Sequence, residues 1–274
     1  MKKWSMLLAG ILTILMCSTA FAAVTEDMDK AEVTVTGYSA YADHLKQSTD
    51  VTKATNAVNQ YIGKNISRDE AMQDAYKQLE TYIRAIQVAP DKTVTDRMAE
   101  DPVVNKEVMA LIKDAEIIRD QAGPDGYNFD LKAKIYGIND SVGRAVLPHI
   151  YNTAVLPTPT QEISVDKSYT GLVVDCTGLG LKRIMMPSIK DTTGRAIYFY
   201  QAMQWDKVVR YGMAAYTING VMPERVGATP LVIKATGLTD GDTTVVVSNT
   251  DADLILAANL DANFFFQCAV AFEY

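Results

Sequence analysis

The side chains that could carry a reaction are few in this chain and stand far apart. Histidine occurs only at His44 and His149, and Cys176 and Cys268 have no Cys or His close by. A structural zinc ion needs four such ligands, usually in closely spaced pairs, so no zinc site is expected. No Gly-x-Ser-x-Gly turn is present to expose a nucleophilic serine. Gly178-Leu179-Gly180 follows an apolar run and invites a dinucleotide reading, in which glycines let the backbone approach a pyrophosphate at a helix start. Arg183 takes the place of the third glycine and Pro187 stops any helix opening there, so a plain turn is expected. Asp240, Asp242, Asp251 and Asp253 gather around Gly241. They lack the alternating acids and closing glutamate of a calcium loop, and suit turns and a helix start. No catalytic residue, metal or cofactor is expected.

Two groups of residues remain as candidates. Tyr198, Tyr200, Trp205, Tyr211 and Tyr216 lie in the densest aromatic stretch. Exposed on an edge, they form a candidate interaction surface for a peptide or glycan, because aromatic rings offer large contact area at small entropic cost. Strand alternation would instead divide them between core and surface. Cys176 and Cys268 fall on expected strands. If those strands are neighbours, the two form a candidate disulfide closing a loop of about ninety residues and contributing roughly 4 kcal/mol. Two buried thiols are the alternative.

The N-terminus carries an address. Lys2 and Lys3 precede an apolar run from Met6 to Met16, and Ala20-Phe21-Ala22 supplies small residues before Ala23. This is the pattern of a signal peptide spanning 1–22, cleaved after Ala22, which places the mature protein in the periplasm or outside the cell. The run is short for a membrane span, so no transmembrane segment is expected after cleavage. Met16 stands where a lipoprotein signal wants a small residue before Cys17, so a lipid anchor is not expected either. The formal net charge of −7 becomes more negative once Lys2 and Lys3 are removed. Such a chain repels phosphate backbones, which makes nucleic acid a poor partner.

The length suits two domains. Val33 and Val35 alternate with Thr34 and Thr36 as a strand, and Ser67 with Glu70 reads as a capping box opening a helix that runs to about Pro90. Asp101-Pro102 opens a second helix. Pro124-Asp125-Gly126 reads as the turn of a hairpin whose Phe129, Leu131, Ala133 and Ile135 face inward, and a short helix over 139–147 closes an N-terminal domain, 23–150. A Pro- and Thr-rich linker, 151–166, leads to a C-terminal domain, 167–274. Its strands are expected at 169–176, 188–190, 195–198, 231–235, 245–247 and 266–272, with a helix capped by Ser248. The fold class is α+β: two small domains, each an antiparallel-rich sheet with helices packed on it.

Several segments together resemble a bacterial envelope group. In the first domain they are Val33 to Tyr38, Glu70 to Leu79, and the hairpin ending in Tyr136-Gly137. In the second they are Tyr169 to Asp175, Gly178-Leu179-Gly180-Leu181, Pro187, Gly194-Arg195 and Asp251 to Asn259. The chain resembles the LPP20-like lipoproteins, small outer-membrane proteins of the twenty-kilodalton antigen type, and the periplasmic flagellar assembly protein T. The resemblance implies a non-enzymatic envelope protein that meets other envelope proteins or itself, with flagellum-associated assembly as one precedent. A module binding a small ligand, peptide or glycan through the aromatic stretch is the second expectation.

Overall fold

The computed structural model describes residues 23–27, 31–41, 53–151, 153–165, 167–218, 220 and 222–274. The expected signal peptide, Cys17 and His44 lie outside them. In chain order the strands are β1 (Ala23–Asp27), β2 (Glu32–Ala40), β3 (Gln87–Ala89), β4 (Lys92–Thr93), β5 (Glu116–Ala122), β6 (Gly126–Lys134), β7 (Leu172–Asp175), β8 (Ser188–Asp191), β9 (Ala196–Tyr198), β10 (Ala215–Thr217), β11 (Leu231–Lys234), β12 (Gly237–Thr239), β13 (Thr244–Val247) and β14 (Val270–Glu273). The helices are α1 (Lys53–Ala85), α2 (Val94–Glu100), α3 (Pro102–Lys113), α4 (Val142–Val146), α5 (Trp205–Tyr211) and α6 (Asn249–Ala262). The class is α+β, as expected.

Two compact units emerge. The first comprises the described residues up to Ile83 together with Met109–Ile135; the second comprises Arg84–Val108 and Tyr136–Tyr274. The sequence suggested one break, in 151–166. The division falls elsewhere because the Met185 and Met186 amides donate to the carbonyls of Gln87 and Val88 at 2.9 and 3.0 Å, tying the β3–β4 hairpin into the second unit.

In the first unit an antiparallel sheet runs β1-β2-β6-β5. Alternation puts Val33 and Val35 of β2 beside Ala133 and Leu131 of β6, all buried. Helix α1 buries Gly63, Ser67, Ala71, Ala75, Leu79 and Ile83, every fourth residue, so its buried line is a ridge inclined to the helix axis. Gly37 lets it approach closely: a Cβ there would stand 2.0 Å from the Ala71 carbonyl oxygen and 2.5 Å from the Ala75 amide nitrogen. The capping-box reading of Ser67 is corrected, since the helix begins at Lys53 and Ser67 is buried inside it. Glu70 instead accepts from the Ser39 hydroxyl at 2.5 Å. Strand β5 is an edge strand exposed at every residue, Ile117 and Ile118 included. A register shift between Ile117 and Arg119 interrupts its ladder with β6. Arg119 pairs with Asp130 at 2.8 Å, and Asp120 accepts from Arg68 Nε at 2.9 Å.

The second unit holds a parallel sheet, β10-β14-β7-β11, and a mixed one, β12-β13-β8-β9, in which β13 and β8 are parallel. Strands β7 and β14 are apolar and buried for three consecutive residues, as strands covered on both faces must be. The last strand begins at Val270 rather than Phe266, because turns occupy 264–268 and Cys268 adopts a left-handed φ of 53°. Helix α2, capped by a reciprocal box between Thr93 and Asp96, went unforeseen. Helix α5 did too, inside the aromatic stretch.

Candidate functional site

The strongest polar cluster of the second unit forms around Arg195. The β8–β9 turn folds back because Asp191 Oδ1 accepts from the amides of Thr193 and Arg195, at 2.9 and 3.0 Å, and from the Thr193 hydroxyl at 2.6 Å. Asp191 Oδ2 then receives Arg195 Nε at 2.8 Å, and Arg195 Nη2 reaches Asp253 Oδ1 of α6 at 2.7 Å. Asp253 also takes the Thr160 amide at 3.0 Å and its hydroxyl at 2.5 Å, while Arg195 Nη1 donates to the Thr158 carbonyl. The carboxylates are 3% and 1% exposed, so a partly buried cation bridges two buried anions and pins the irregular segment around Thr158 and Thr160. Burial alone would raise both acids. The donated hydrogen bonds outweigh it, lowering Asp191 and holding Asp253 down to about 2. Every group here points at another member of the cluster, which is the chemistry of a clamp.

The five aromatic candidates do not form one exposed face. Tyr198 is wholly buried and donates to the Met213 carbonyl at 2.7 Å; Tyr200 is buried and donates to the Pro148 carbonyl. Tyr216, partly buried, donates to the Ile184 carbonyl at 3.0 Å and accepts its amide at 3.1 Å. Burial raises the phenols of all three. Tyr211 is 44% exposed, and Trp205 is half-buried. The short 200–202 helix, α5 and β10 break the stretch into separate elements, so its rings do not share one edge.

Trp205 instead meets residues that the sequence did not nominate. Its ring stacks on His149 at 4.4 Å between centroids with an interplanar angle of 27°, and Tyr151 meets His149 at 4.7 Å, tilted by 31°. The Arg144 guanidinium lies 5.8 Å from the Trp205 centroid. Ser141 caps α4, which carries Arg144, and Trp205 Nε1 donates to the Leu147 carbonyl at 3.4 Å. Tyr151 is 85% exposed, and His149 and Arg144 are exposed as well. Among the described residues Arg144 pairs with no acid. Spacing could not have disclosed this stack, since its members come from α4, the segment after it and α5.

The disulfide candidate is corrected: Cys176 and Cys268 are separate buried thiols. Parallel pairing of Leu172 with Val270 and Asp175 with Glu273 puts Cys176 beyond one end of the paired segment and Cys268 before the other. The offset, about six residues, is on the order of 20 Å at the rise of a strand, far beyond a disulfide's reach. Burial pushes Cys176 up to about 12 and Cys268 to about 11. Gly178 and Gly180, at φ of 79° and 78°, lie in a turn with no helix after it, as a plain turn requires. Asp240 and Asp242 pair with Lys190 and Lys182 at 2.7 and 3.1 Å, and Asp251 closes the Ser248 cap. Among the described residues there is no group of three or more His, Cys, Asp and Glu able to hold a metal ion, and no helix long and apolar enough to cross a membrane.

Residues 171–272, inside the second unit, match a protein family described as the second domain of Treponema pallidum Tp0624. That match corrects the resemblance drawn from the sequence, because it is neither an LPP20-like lipoprotein nor a flagellar assembly protein T match. No curated protein matches the chain.

Proposed function

We propose that this is an exported, non-catalytic protein of the cell envelope that works by protein–protein contact. The observation that carries the reading is where the ionisable side chains are spent. Asp191, Arg195 and Asp253 close on one another, while rings and apolar side chains such as Tyr151, Val155 and Leu260 face solvent. Export is supported by the signal pattern of residues 1–22, and β1 opens at Ala23, so cleavage after Ala22 leaves it whole. Crosslinking in intact cells tests the reading. Adducts with envelope proteins, or with a second copy, are expected; a protein recovered only as an uncrosslinked monomer from the cytoplasm would contradict it. A ligand-binding module is the second reading, favoured by the ring stack of Tyr151, His149 and Trp205.

A further inference from the structure

We infer that the ring stack and Arg144 form a binding surface for an acidic oligosaccharide, an inference that rests on the ligand-binding reading. Tyr151 has one ring face on His149 and is 85% exposed, so its other face is open to solvent. An open, flat, π-rich face suits the C–H face of a pyranose ring, which covers it without needing a groove. In the same cluster stands Arg144, its guanidinium 5.8 Å from the Trp205 centroid, exposed and without an ion-paired acid among the described residues. A guanidinium in that state fits a carboxylate, which it can hold by two parallel hydrogen bonds. The open ring belongs to Tyr151 and the charge sits by Trp205, with His149 between the two rings, so a ligand that meets both is an oligomer rather than a single sugar.

Other anionic chains fit less well. A polyphosphate backbone carries a charge on every unit, which the net charge of −7 opposes more strongly than it opposes a chain that alternates acidic and neutral sugars. An extended peptide gains most of its affinity by adding a strand to a sheet edge, and Tyr151 belongs to no strand. The surrounding bonds hold the stack ready: Trp205 to Leu147 through its indole N–H, and Tyr200 to Pro148, the residue before His149.

Trp4 lies in the expected signal peptide, which leaves Trp205 as the one tryptophan of the mature protein and a reporter for this site. Its fluorescence is followed while the mature protein is titrated with a hyaluronan hexasaccharide, which alternates carboxylated and neutral sugars, and in parallel with a neutral chitin hexasaccharide. A saturable change at least tenfold tighter for the acidic chain is expected. Tyr151→Ala should weaken both at least tenfold, and Arg144→Gln should remove the preference for acid; melting curves check that both variants stay folded. No saturable change, equal affinity for the two chains, or binding that survives Tyr151→Ala would overturn the inference. If neither saccharide binds and a peptide library instead perturbs Trp205 through Tyr151, the saccharide falls and the ligand-binding reading stands.

Discussion

Asp253 shows how one side chain can govern a whole segment. Its carboxyl is held down to about 2, against about 3.9 for an unfolded aspartate, because Thr160 and Arg195 donate to it. A carboxylate lowered by folding stabilises above its unfolded value, and that contribution drains away as pH falls from about 4 towards 2. Chemical unfolding at pH 7 and pH 3 should therefore show a loss of about 1 kcal/mol from this group. Asp253→Asn should lose about 2 kcal/mol at pH 7, because the charge-assisted bonds from Arg195 and Thr160 weaken at a buried position, and the variant should depend less on pH than the parent. The buried thiols give a second check. With Cys176 and Cys268 both raised, a thiol reagent at pH 8 should leave the native, unreduced protein untouched and titrate two thiols on unfolding. At this scale the sequence was legible where roles are local, as for Asp251 at its cap. It was opaque where partners come from distant segments, as for Arg195 with Asp253 or Trp205 with His149.

Among the elements, β2 and α1 depend on a missing side chain. Gly37→Ala would drive a methyl group into the backbone of α1, and a loss of about 3 kcal/mol or more is expected in thermal unfolding. Gly178→Ala is the control, since open space surrounds that position and only its positive φ opposes the change, at about 1 kcal/mol. Strand β5 presents free backbone groups along an exposed edge, guarded by its register shift and by Arg119 and Asp120. Arg119→Ile should bring a larger species into size-exclusion profiles at high concentration, while the parent elutes unchanged. Alternation and turn chemistry made β2, β6 and the hairpin legible, because each is a short-range pattern. The start of α1 was not, as the first half of the helix lacks the apolar period that marks the second. The parallel pairing of β7 with β11 and β14 was likewise hidden, since continuous apolar runs do not say which strand lies beside which.

At the scale of the molecule, the segment matched by the known family is not self-sufficient. Residues 171–272 lack the β3–β4 hairpin that bonds to Met185 and Met186, and the loop at Pro148 that anchors Tyr200. Expressed alone, that fragment should show no cooperative melting transition, whereas residues 84–108 joined by a short linker to 136–274 should retain one. The order of strands in the parallel sheet carries a further consequence. Strand β14 lies between β10 and β7, yet it follows both of them in the sequence. Neither β10 nor β7 has its inner neighbour until residues 270–273 dock between them, so that sheet closes in one late step with its middle strand.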